Sequence, residues 1–156
     1  MWLPSVCAVV LRDAQHKSDW AVPEVLLVKR ADSGQWTPVT GIADPGEEAH
    51  DCAVREVAEE TGLVVRPAAI IGVGSVGPVT HTNGDLASYM TVQLRMEPVD
   101  PQAQPVVGDD ESSDVGWFPI SQMPVTDPKW RLVIGDAAAQ RRHPEGFAPR
   151  MGLAKR

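Results

Sequence analysis

The sequence predicts an α/β fold in which a sheet of mixed strand directions lies between helices. Three observations lead there. Short aliphatic runs at residues 6–11 and 25–29 have the composition of strands. Residues 47–61 are rich in helix formers, contain no interior Gly or Pro, and stop at Gly62. Strand-like runs then return on both sides of Asn83-Gly84, ahead of a second helical segment. At 156 residues, 43% hydrophobic and 22% charged, the chain fits one domain with a substantial core.

Taken in order, residues 1–11 are apolar but lack a basic leading segment and run into Arg12 and Asp13, which suits a first strand rather than a signal peptide. Residues 25–29 form its neighbour. Residues 36–46 are rich in Thr, Pro and Gly and read as a loop leading to the helix at 47–61. Residues 64–76 and 86–96 make a hairpin about Asn83-Gly84, and residues 114–118 a strand after an acidic loop. Asp127 caps a last helix with Pro128 at its first position, which continues over 129–142 to His143-Pro144. The domain is therefore expected to span 1–142, with 143–156 a loose tail or a partial cap. Helices flanking such strands imply a layered sandwich.

Composition narrows the function. The formal charge of -7 argues against a nucleic-acid partner, which calls for a basic footprint. Residues 1–128 hold 7 basic and 19 acidic side chains and residues 129–156 hold 7 and 2, so the net charges are -12 and +5. An acidic body acting on an anionic substrate requires cations between them, while the basic end reads as a solvated face. No run approaches membrane-spanning length, which argues against a membrane partner. Cys7 and Cys52 are too few for a disulfide framework, so a cytoplasmic location is expected.

The chemistry concentrates in the first helix. At about 100° per residue, Glu56, Glu59 and Glu60 share an arc, and Ala53, Val54, Val57 and Ala58 occupy another. Glu56 and Glu60 repel one another at i,i+4, near the negative end of the helix dipole. A divalent cation would reverse both penalties, and hard carboxylate oxygens suit Mg²⁺ or Mn²⁺. Arg55 can reach Glu59 or Glu47. Cys52, one turn earlier, reads as a small half-buried thiol.

Gly41, Glu47, Arg55, Glu56, Val57, Glu59, Glu60, Gly62 and Leu63 match without a gap the pattern G-x5-E-x7-R-E-U-x-E-E-x-G-U, where U is a bulky aliphatic. On this motif the chain resembles the Nudix hydrolase family, including its MutT-like and ADP-ribose pyrophosphatase-like members. The resemblance implies the Nudix fold, an α/β/α sandwich with a mixed central sheet. It implies Mg²⁺-dependent hydrolysis, with Mn²⁺ able to substitute, of a nucleoside diphosphate linked to another moiety, by water attack on phosphorus. Glu56, Glu59 and Glu60 would bind metal, Gly41 would add its carbonyl, and Glu56 would take the proton of the attacking water. Glu47 and Arg55 would organise the loop and helix. A further carboxylate is expected from the loop at 108–114: Glu111 is preferred over Asp110 and Asp114, and Asp109 is expected to point elsewhere. The partner implied is a small-molecule nucleotide, and a homodimer is compatible with the resemblance.

Before the motif the family commonly carries Pro-Gly-Gly after a Trp, whereas Trp36 here leads to Val39, Thr40 and Gly41. Pro78, fifteen positions after Leu63, resembles ADP-ribose pyrophosphatases; nucleoside triphosphates, including oxidised dGTP, and other nucleotide-linked diphosphates stay open. Trp36, Tyr89 and Phe118 are candidates for stacking on a base, with core anchoring the commoner role. Gly72, Gly74 and Gly77 spell G-x-G-x-x-G, but Pro78 to Asp85 is turn-like and opens no helix, so a dinucleotide site is rejected. His81 reads as an exposed loop residue. A nucleotide sensor without catalysis and an isomerase on the same fold are the rival readings.

Overall fold

Residues 1–15, 21–81 and 83–152 are described by the computed structural model. Strand β1 (Trp2–Arg12) is the axis of the sheet. Its apolar run is buried throughout because both faces are covered: Val6, Ala8 and Val10 belong to one core cluster, Cys7, Val9 and Leu11 to another. Side chains alternate across a strand, so covering both faces demands an unbroken apolar run. Strand β2 (Glu24–Arg30) repeats the arrangement, with Leu26 and Val28 on one side and Val25 and Leu27 on the other.

Helix α1 (Ala49–Thr61) closes the first cluster with Cys52, Ala53 and Val57, and helix α2 (Pro128–Arg142) closes the second with Val133, Ile134, Ala137 and Ala138. The result is the α/β/α sandwich that the motif implied. Gly62 ends α1 in the left-handed region at φ 74°, its N–H donating to Ala58 O at 2.9 Å. Asp127 caps α2 by accepting from Lys129 N at 2.8 Å.

The sheet has seven strands among the described residues and is mixed. Only β6 (Leu86–Pro98) runs parallel to its neighbour β1; the remaining pairings are antiparallel. Strand β5 (Val65–Thr80) lies outside β6. The other edge of β1 is shared by β4 (Val39–Ile42), opposite Ser5 to Ala8, and by β2, opposite Leu11 and Arg12. Strand β2 also pairs with β3 (Trp36–Thr37) and β7 (Ser112–Pro119).

One expectation needs correction. The loop expected at 36–46 contains β3 and β4, because ladder bonds to β2 and β1 override its Thr, Pro and Gly content. Residues 143–152 lie against the second core cluster and the edge of the sheet. Phe147 packs into the second cluster, Arg150 N donates to Ile71 O at 3.1 Å, and Val73 N donates to Arg150 O at 2.9 Å. This segment covers the outer edge of β5, and Arg150 is paired with Asp136 at 2.8 Å. The G-x-G-x-x-G glycines lie inside β5, where the register shifts between Ile70 and Gly72 and between Val76 and Val79.

Candidate active site

The buried stripe of α1 is Cys52, Ala53, Val57, Glu60 and Thr61, while Ala58 is exposed. The apolar and acidic arcs therefore overlap rather than separate. Glu60 lies only about 20° from Ala53 around the helix, so it turns toward the sheet with the core residues and is 3% exposed. Cys52 is fully buried rather than half-buried.

Arg55 organises the entry to the helix. Its Nε and Nη2 donate to the two carboxylate oxygens of Glu47 at 2.8 and 2.9 Å, a paired geometry that fixes both groups. Nη1 donates to Glu56 at 3.0 Å and more weakly to Glu59 at 3.3 Å, and Nη2 also reaches Ile42 O at 3.2 Å. These bonds hold the Glu47 carboxyl down to about 2. Glu47 Oε1 further accepts from Asp44 N at 3.0 Å, which closes the turn ahead of the helix.

Gly41 in β4 lies directly beneath Glu56. A Cβ at this position would meet Cγ and Cδ of Glu56 at 2.3 Å, so the glycine makes room for that side chain against the strand. Burial pushes the Glu56 carboxyl up, partly offset by Arg55 and reinforced by Glu59 and Glu111.

The acidic loop reaches the site from the other side, and α1 itself seats it. Gly108 N donates to Glu60 O and Val106 N to Thr61 O, each at 2.9 Å, so the loop satisfies carbonyls that the helix end leaves open. A Cβ at Gly108 would lie 2.1 Å from Glu59 O, which makes this approach possible only for glycine. The loop also donates Glu111 N to Asp109 Oδ1 at 3.1 Å, and Glu111 O accepts from Ala31 N at 2.9 Å.

One carboxylate oxygen each from Glu60, Asp109 and Glu111 lie within 4.8 Å of one another, the only such metal-competent group among the described residues. Glu56 and Glu59 flank it and contact Arg55 instead. Asp109 was expected to point away from Glu111; the two converge because the turn that bonds Glu111 N to Asp109 folds them to one side. Asp110 and Asp114 are outside the group, and Asp114 Oδ1 accepts from Val115 N at 2.8 Å.

Burial pushes the Glu60 carboxyl up to about 9, helped by the adjoining Glu111 carboxyl and by the charges of Glu56 and Asp109. Glu60 Oε2 is buried and accepts from no donor among the described residues. A buried carboxylate oxygen without a donor is costly unless a cation or proton meets it. The oxygen-only donor set fits a hard divalent cation.

Other expected candidates lie elsewhere. Trp36 and Phe118 meet edge to face at 4.9 Å against the second core cluster, which is an anchoring role. Tyr89 Oη lies 2.8 Å from Nε2 of exposed His81 near the hairpin turn. Two participants were not anticipated: Asp109, and Gly108 whose missing side chain admits the loop. A glycine immediately before two aspartates was their signal.

Against known proteins, a profile described as NUDIX domain matches residues 1–139. The chain is 33% identical over 105 residues to the NAD-capped RNA hydrolase NudC of Pseudomonas putida, covering 65% of this chain and 34% of that one. It is 40% identical over 73 residues to a putative 8-oxo-dGTP diphosphatase of Bacillus subtilis, covering 47% of this chain and 44% of the other. It thus spans about a third of the NudC relative's length. Among solved structures, an ADP-ribose pyrophosphatase from Streptococcus suis superposes with a TM-score of 0.67 at 19% identity, over 96% of this chain and 98% of that one.

Proposed function

Because the chain belongs to the Nudix hydrolase family, we propose that it hydrolyses the diphosphate bond of a nucleoside diphosphate derivative, with Mg²⁺ as cofactor and Mn²⁺ able to replace it. The observation that carries this reading is Glu60, a buried carboxylate whose Oε2 meets no donor and whose neighbours are Asp109 and Glu111.

Glu56, Glu59, Glu60, Asp109 and Glu111, with the Gly41 carbonyl, would hold the metal, which neutralises phosphate charge and favours ionised water when bound. Glu56 accepts the proton of the attacking water: it is half-buried, its pKa is raised, and Arg55 fixes its Oε1. Glu47 carries no proton itself and aligns Arg55. The buried thiols are poor alternatives as nucleophiles, since burial pushes both Cys7 and Cys52 up to about 12. The same thiols offer nothing to an isomerase that needs a reactive cysteine. No helix among the described residues is long and apolar enough to cross a membrane; we place the enzyme in the cytoplasm, where free thiols persist.

The test is a Mg²⁺ panel of ADP-ribose, nucleoside triphosphates including 8-oxo-dGTP, and NAD-capped RNA, with monophosphate esters as controls. Activity should vanish with chelator and return with Mg²⁺ or Mn²⁺. Heavy-oxygen water should label a phosphate of one product. Binding across the panel with both metals and no cleavage would replace the hydrolase by a sensor.

A further inference from the structure

Strands β1, β2 and β7 bring Arg12, Glu24 and Trp117 together on the α1 face of the sheet. Arg12 stands opposite Glu24 in the β1–β2 pairing, and Trp117, which packs against the first core cluster, stands opposite Leu26 in the β2–β7 pairing. Arg12 is buried. Its Nε donates to Glu24 Oε1 at 2.9 Å, its Nη1 donates to Pro101 O at 2.8 Å, and its guanidinium lies 4.3 Å from the centre of the Trp117 ring. Trp117 Nε1 in turn donates to Ala103 O at 3.2 Å.

Both carbonyls belong to the connection from β6 to β7, the segment that also carries Asp109 and Glu111. Backbone bonds tie it elsewhere: Val99 N donates to Val64 O at 3.0 Å where the chain leaves β6, and Val106 N donates to Thr61 O where it meets the helix. Between those points, Arg12 and Trp117 fasten it to the sheet. Gln104 and Pro105 alone separate Ala103 from Val106, and proline holds its own φ at about −65°. The position set at Ala103 is thus handed on to Val106, Gly108 and the carboxylates beyond them. A buried ion pair adds little net stability. Besides its strand neighbour Glu24 and the Trp117 ring, the partner that Arg12 holds is this segment.

We infer that Arg12, together with Trp117, is a positioning residue for the metal group: through Pro101 and Ala103 it sets the segment so that Asp109 and Glu111 meet Glu60. This rests on the reading above that these carboxylates hold a divalent cation. Before a cation arrives, carboxyl groups brought within 4.8 Å of one another resist the approach. A tethered segment also has less freedom to lose when its side chains are drawn together. Loosening the clamp therefore weakens metal binding, although neither Arg12 nor Trp117 belongs to the carboxylate group.

The experiment titrates Mn²⁺ into the full chain by electron paramagnetic resonance, comparing wild type with R12K, W117F and R95K, and follows the thermal unfolding of each. R12K keeps the charge but not the planar fork that serves Glu24 and Pro101 at once. It should weaken Mn²⁺ binding by ~10-fold or more, the scale of a lost outer partner of a metal ligand. W117F keeps an aromatic face for Arg12 and removes the bond to Ala103, so it should weaken binding by a smaller factor of roughly 3. It decides the matter where R12K fails to fold. Arg95 is the control, a buried arginine on the α2 side whose Nε donates to Gln140 Oε1 at 2.6 Å and whose Nη1 donates to Glu97 Oε1 at 2.8 Å. R95K should lower Tm as R12K does but hold Mn²⁺ affinity within ~2-fold of wild type, since it lies apart from the segment. Wild-type Mn²⁺ affinity in W117F or in a folded R12K, or an equal loss in R95K, overturns the inference. Absence of Mn²⁺ binding by the wild type overturns the metal reading instead.

Discussion

Glu60 combines two properties that rarely coexist without a ligand: 3% exposure and a side-chain oxygen without a donor. In the metal-free protein a proton answers the problem, since burial pushes this carboxyl up to about 9 from the ordinary 4.5. The native state then binds more protons than the unfolded chain throughout that window, and stability falls as pH rises. The contribution is full below about 4.5 and lost by about 9. Chelator-treated wild type should therefore lose stability from pH 5 to 9, whereas E60Q, which has no proton to release, should show a flatter slope. Denaturant melts at several pH values check this, and equal slopes in both proteins would refute it. Glu47, depressed to about 2, acts with the opposite sign and only as pH falls below the ordinary carboxylate range, so it does not mask the effect. With metal bound, E60Q should reduce turnover at least ~100-fold, the scale expected for lost charge stabilisation.

At the scale of elements, the site is a joint between the C-terminal half of α1 and the loop that caps it. Asp109 and Glu111 reach Glu60 only because Val106 and Gly108 bond the last carbonyls of the helix. D109N and E111Q should then each weaken Mn²⁺ binding by a comparable factor of roughly ten, as loss of one charged oxygen ligand implies, while D110N should leave it near wild type. Manganese titrations decide among these, and a normal affinity in D109N would remove Asp109 from the site. The helix, its Gly62 stop and the strands of the hairpin were legible in the sequence because each rests on local pattern. The rotation of α1 was not. Periodicity separates Glu60 from Ala53 by chemistry but hardly by angle, and only the sheet and loop closing over both decide that the carboxylate is buried. Strands β3 and β4 were hidden for a related reason. Pairing with distant partners, as of Val39 with Ala8, overrides the local preference for a loop. The positions of Glu47, Arg55 and Glu56 followed from spacing along a single turn and helix, whereas the side on which Asp109 lies depends on a turn that no period reports.

Across the whole molecule, the two helices close the two faces of one sheet, and the segment after α2 finishes the edge at β5. That segment contributes packing by Phe147, two backbone bonds through Arg150 and the Arg150–Asp136 pair. Removal of residues 144–156 should cost ~2–3 kcal/mol, most of it from uncovered apolar surface and a bared strand edge. In a domain of this size that lowers Tm by roughly 5–10 °C. A thermal scan of the truncated chain checks the figure, and an unchanged Tm would mean the segment only rests on the sheet.

The bonds from Val106 and Gly108 to the end of α1 also have a spectroscopic meaning. Their amide protons open only when the loop lifts from the helix, and any cation gripping Glu60 together with Asp109 or Glu111 must hold that loop down. Hydrogen exchange at these two amides is thus a built-in gauge of site occupancy. It can be read in the resting enzyme, with no substrate and no turnover.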